Sequence, residues 1–80
     1  MIPKVKITKL LLTKYQTTHV GNTSKGIPFI EFTPKSNRAF TNKDFDRIQK
    51  LLDPLIGYEI DHYDITRNSP RKFTVTWQEA

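Results

Sequence analysis

The segment Glu59-Ile-Asp-His-Tyr-Asp64 brings three carboxylates and an imidazole into one short run. These are donor types that can bind a divalent metal or exchange protons. In a strand, however, Glu59 and Asp61 share one face while His62 and Asp64 point from the other. Of the distant metal-binding side chains, only His19 is left to complete a shell, because the chain has no cysteine. Solvated strand acids are the expectation, with no metal and no cofactor. Covalent chemistry has equally little to build on. No serine sits in a Gly-x-Ser-x-Gly elbow, neither histidine has the context of a base, and Gly21 and Gly26 match neither phosphate-loop spacing nor dinucleotide spacing. The sequence predicts a protein that is not an enzyme.

What remains is basic residues interleaved with aromatic ones. Single-stranded nucleic acid is held by cations that follow the phosphates and by rings on which bases stack. Thr17 to Thr33, TTHVGNTSKGIPFIEFT, runs from a polar, Gly-punctuated loop into a hydrophobic strand, with Lys25 in the loop and Phe29 on the strand. Lys14, Tyr15, Lys35 and Arg38 lie close by in sequence. These six residues are the candidate nucleic-acid contacts. The competing reading places Phe29 in a core covered on both faces and treats the lysines as a solubilising coat on an edge strand.

The charge distribution supports the first reading. Net charge is +5 overall, but residues 1–40 carry seven bases against one acid, a net +6, whereas residues 41–80 carry six against seven, a net −1. Clustered Lys and Arg favour a polyanion because they release its counterions. The length of 80 residues predicts one domain spanning residues 1–80. The absence of cysteine fits a reducing, cytoplasmic setting. The longest apolar run, Leu10-Leu11-Leu12, is too short for a membrane span or a signal-peptide core, so no membrane partner is expected.

The elements that must position these residues follow from periodicity. Lys4 to Thr8 alternates polar and apolar residues and predicts a strand with Val5 and Ile7 inward, bulged or bent at Lys9 to Leu12 and continuing through Thr13 to Tyr15. Gln16 to Gly26 reads as a loop. Ile27 to Thr33 reads as a second strand, with Pro28, Ile30 and Phe32 on the core face and Ile27, Phe29, Glu31 and Thr33 opposite; Pro28 belongs at its start or on an edge. Pro34 to Phe40 reads as irregular, with room for a short strand at Arg38 to Phe40.

Thr41 caps a helix over residues 42–53, with Asp44 as its capping-box partner and Phe45, Ile48, Leu51, Leu52 and Leu55 as an apolar stripe. Gly57 suits the C-terminal turn. Tyr58 to Thr66 and Lys72 to Gln78 form a hairpin around Arg67 to Arg71, and Phe73, Val75 and Trp77 make its buried face. The expected fold is α+β, of order ββ(β)αββ: a small, mostly antiparallel sheet or an open OB-like barrel of four or five strands with one helix.

Lys-Val-Lys-Ile, a polar loop and then Thr23-Ser-Lys-Gly-Ile-Pro-Phe-Ile-Glu-Phe-Thr33 resemble the first two strands of small phage and plasmid single-stranded-DNA-binding proteins with an OB barrel. The position of the helix before the last two strands is similar to that fold as well. The resemblance implies that Lys25, Phe29 and the neighbouring basic residues line a DNA-binding face.

A second class of function fits the same composition. A protein-binding module, such as a phage-encoded inhibitor of a host nucleic-acid enzyme, would act through an interface with an Arg anchor, and Arg67 and Arg71 on the hairpin tip are its candidates. Under either reading, an edge strand could pair two copies into a homodimer.

Overall fold

A computed structural model describes residues 3–36 and 38–79. Helix α1 (Pro3–Leu11) is followed by strands β1 (Tyr15–Asn22) and β2 (Pro28–Pro34). Helix α2 (Asn42–Leu52) then runs into a short 3-10 turn (Asp53–Leu55), and β3 (Ile60–Ser69) and β4 (Lys72–Glu79) close the chain. The four strands form one antiparallel sheet in the order β1-β2-β4-β3. It is an open sheet whose edges are β1 and β3. The α+β class and the antiparallel sheet are as expected, but the described residues form two α-helices rather than one.

The N-terminal segment is helical, not a strand. Its alternating pattern also satisfies helical spacing, because Ile7 and Leu11, four residues apart, are both fully buried. Val5, expected inward, is 45% exposed. The Thr8 hydroxyl donates to the Lys4 carbonyl at 2.8 Å, a bond within one helical turn. Lys6 Nζ pairs with Glu59 Oε1 at 2.9 Å and ties α1 to the segment before β3. The first of the two strands behind the resemblance to OB proteins is therefore α1.

Strand β1 occupies most of the stretch expected to be loop. The connection that remains, Thr23 to Ile27, is closed by Thr23 N–H to the Ile27 carbonyl at 2.8 Å and by Gly26 N–H to the Thr23 carbonyl at 2.9 Å. Gly26 adopts φ +81, the left-handed region that glycine enters without steric cost. Strand β2 alternates as expected, with Ile30 and Phe32 buried, and Pro28 at its start lacks only a donor the ladder does not need there. Residues 38–40 form no strand.

Both helices cover one face of the sheet. Ile7, Leu11, Tyr15, Ile30, Phe32, Phe40, Ile48, Leu52, Leu55, Ile60, Phe73, Val75 and Trp77 form a single core, with Phe45 and Leu51 of the expected α2 stripe half-buried against it. The capping box of Thr41 and Asp44 is present, and Gly57 takes φ +87 after the 3-10 turn. The second hairpin is tighter than expected. Its strands run to Ser69 and from Lys72, so Pro70 and Arg71 alone make the turn. Among the described residues no helix is long and apolar enough to cross a membrane.

Candidate nucleic-acid interface

The face of the sheet away from the helices carries the candidate site. Antiparallel register places residues on it in rows. Gly21, Phe29, Thr76 and Asp64 make one row, and His19, Glu31, Thr74 and Thr66 make the next. A bulge at Thr18 keeps Gln16 and His19 on this same side, despite their odd spacing. Neither α1 nor α2 packs here. Phe29 is half-buried and lies beside His19, with ring centroids 5.5 Å apart and planes 30° from parallel. The ring lies against Gly21 of β1, where a Cβ would meet its edge at 3.5 Å, an ordinary van der Waals contact.

One end of this face opens into a cleft of about 590 Å³, lined among others by Gln16, Thr33, Lys35, Arg38, Arg71 and Lys72. None of its lining residues among those described is acidic. Two backbone bonds assemble it. Lys35 N–H donates to the Lys14 carbonyl at 3.0 Å, closing the base of the first hairpin. Phe40 N–H donates to the Pro70 carbonyl at 2.7 Å, pinning the segment after β2 to the turn of the second hairpin. Phe40 is held from below as well, because its ring stacks on Phe73 with centroids 4.4 Å apart. The Thr33 hydroxyl at the cleft has no hydrogen-bond partner among the described residues.

Arg38 is fixed in the cleft wall by a buried carboxylate. Its Nη1 and Nη2 donate to Asp44 Oδ2 and Oδ1, each at 2.6 Å, in a bidentate fork. Asp44 is 1% exposed and also accepts from Tyr15 OH at 2.6 Å, Thr41 N–H at 2.8 Å and Thr41 Oγ1 at 3.0 Å, with Arg47 Nη1 3.6 Å away. The bonds from Arg38, followed by those from Tyr15 and Thr41, outweigh burial and hold the Asp44 carboxyl well below the usual carboxylate range. Burial, and then the hydrogen bond to Asp44, push the Tyr15 phenol up. Tyr63 is raised in the same way, by burial and by its 2.6 Å bond to Asp53.

Of the residues selected from the sequence, Lys35, Arg38 and Arg71 meet in the cleft, with Lys14 beside Lys35. Tyr15 is not a stacking surface: it is 1% exposed, with its ring edge against Phe73 and its hydroxyl on Asp44. Lys25 sits in the β1–β2 loop, at the far end of a hairpin about 23 Å long at 3.3 Å per residue. Phe29 does lie on the open face. Arg67, expected on the hairpin tip, is within β3, and its guanidinium lies over the Phe40 ring at 5.4 Å.

The acids of residues 59–64 do not converge, although His62 Nδ1 lies 3.9 Å from Asp61 Oδ2. Glu59 pairs with Lys6, Asp61 falls at a bulge, and His62 and Asp64 face the open side. No three His, Cys, Asp or Glu side chains come together among the described residues. Lys72 was missed by the sequence reading. The sign that could have found it is the two-residue turn, which brings Lys72 opposite Ser69 and next to the end of β2.

Comparison with protein-family models, with curated proteins and with solved structures finds no match for this chain.

Proposed function

We propose that this chain is a non-catalytic domain that binds single-stranded DNA or RNA, with the strand laid across the open sheet face and its phosphates drawn into the cationic cleft. One observation carries this reading. Lys35, Arg38, Arg71 and Lys72 come from segments far apart in sequence and converge on one cleft that has no acidic lining residue among those described. Asp44 and Glu31 pair with Arg38 and Lys72 from outside the lining, and the basic side chains that line the cleft favour an anion there. The adjoining face supplies the other half of single-strand recognition, with Phe29 and His19 as a stacking surface and Thr74 and Thr76 as hydrogen-bonding neighbours; of the two acids in the same rows, Glu31 lies 3.9 Å from Lys72 and Asp64 is at the far strand β3.

The reading is tested by anisotropy titration of labelled single strands of about six nucleotides, within the usual range of site sizes, at about 50 and 200 mM salt. Affinity should fall steeply with salt. Phe29→Ala should weaken binding about tenfold, toward the low end for loss of one base stack because His19 remains. Absence of binding at the lower salt would reject the reading.

A further inference from the structure

We infer that two copies of this chain pair through β1, edge to edge and antiparallel about a twofold axis, so that the open faces of two sheets become one. Assembly needs no nucleic acid; only its consequence for the site rests on the proposed function. The two edges of the sheet are unlike. β3 carries Asp61, Asp64 and Arg67 and two irregularities of register, which are devices that guard an edge strand. β1 has no charged residue and no proline from Tyr15 to Asn22. Its one bulge, at Thr18, is tied back to β2, because the Thr18 hydroxyl donates to Glu31 Oε1 at 2.9 Å. In a chain of net charge +5, such a strand lets a second copy approach without like charges meeting along it. Val20 is exposed on the helix side of this edge, opposite buried Ile30, and Val5, also exposed, borders the same recess as Asn22 at the end of β1.

The register makes β1 complementary to itself. With the axis at Val20, that residue stands opposite the partner's Val20 as a β-branched cross-strand pair, and His19 stands opposite the partner's Gly21 on the open face. Gly21 is where the Phe29 ring lies, with its edge 3.5 Å from the position of a Cβ. The partner's His19 therefore comes to the outer side of a ring whose own His19 is already 5.5 Å away. Two phenyl rings and two imidazoles then make one stacking surface across the axis, and each copy supplies part of the other's site. An unrelated extended segment would gain the backbone bonds alone, whereas a second copy also brings the valine and the imidazole to matching positions. Beyond each end of the paired span, Lys14 approaches the partner's Lys25, so salt, which screens them, should tighten the dimer.

The test is sedimentation equilibrium of the protein alone, from about 10 to about 500 µM, at about 50 and about 200 mM salt. The mass should rise toward twice that of the monomer, and at lower protein concentration in the higher salt. Val20→Lys, which sets two like charges opposite each other, should weaken the dimer about tenfold or more. Ile56→Lys replaces an exposed apolar residue beside β3 and should leave the dimer unchanged. Circular dichroism checks that both variants fold. A monomer at every concentration would overturn the inference and leave this edge to an extended segment of another protein. A dimer that survives Val20→Lys would overturn it as well. Because no nucleic acid is present, a dimer without strand binding would reject the proposed function alone, and strand binding by a monomer would reject this inference alone.

Discussion

Replacing Asp44 with alanine lowers stability by about 2–4 kcal/mol, the sum of about 1 for a lost helix cap and about 1–3 for buried donors left without an acceptor. The side chain is 1% exposed and accepts from three separate parts of the chain: Tyr15 on β1, Arg38 in the cleft wall and Thr41 at the start of α2. Arg38 turns to water in the variant, which keeps the loss below that of a fully buried ion pair. Tyr15→Phe, which deletes one of these bonds, should cost only about 0.5–1.5 kcal/mol.

The pH dependence has a definite sign. The folded carboxyl of Asp44 is harder to protonate than the unfolded one, so its stabilisation is complete above the unfolded value near pH 4 and is lost as pH falls below it. Denaturant unfolding of both proteins should therefore show a gap at pH 7 that narrows below about pH 4. A constant gap through that range would mean that Asp44 is not held as the anion.

Removing the cleft charges has the largest expected effect on binding. Lys35→Ala, Arg71→Ala and Lys72→Ala together should weaken single-strand affinity about a hundredfold at 0.1 M salt, because each phosphate contact on a single strand releases about 0.7 of a counterion. The slope of log affinity against log salt should flatten by about 2 for the same reason. Lys25→Ala makes the control. It stands at the opposite end of the β1–β2 hairpin from the cleft, so its removal should change affinity little. An equal loss from Lys25→Ala alone would move the phosphate path to the hairpin loop.

The parts of the fold legible in the sequence are those where one periodicity stands alone. Phe73, Val75 and Trp77 alternate with polar threonines, and α2 combines a capping box with a single apolar stripe; both are as read. Residues 4–11 satisfied two periods at once. Ile7 and Leu11 fit a helix, whereas Lys4 to Thr8 fits a strand, and the choice is settled by packing against β1, β2 and α2, which local pattern does not contain. Val20 is 44% exposed on the edge strand, so β1 lacks the apolar signature that would have marked it.

The candidate site was half legible for a similar reason. Lys35 and Arg38 stood out because they lie in the basic half of the chain. Lys72 did not, because it lies in the half with net −1 and reaches the cleft only through the tight turn at Pro70 and Arg71. Asp44 was recognisable as a cap. Its second role, holding Arg38 and Tyr15, depends on contacts 6 and 29 residues away in sequence.

The most direct measurement is an amide-resolved NMR titration of isotope-labelled protein with a single strand of about six nucleotides at about 50 mM salt. Strand binding on the open face should give saturable shifts at Gln16, His19, Phe29, Thr33, Lys35 and Lys72, there and at the cleft, with the helix residues Leu10 and Lys50 unmoved. Shifts confined to the helical side, or none at all, would contradict it.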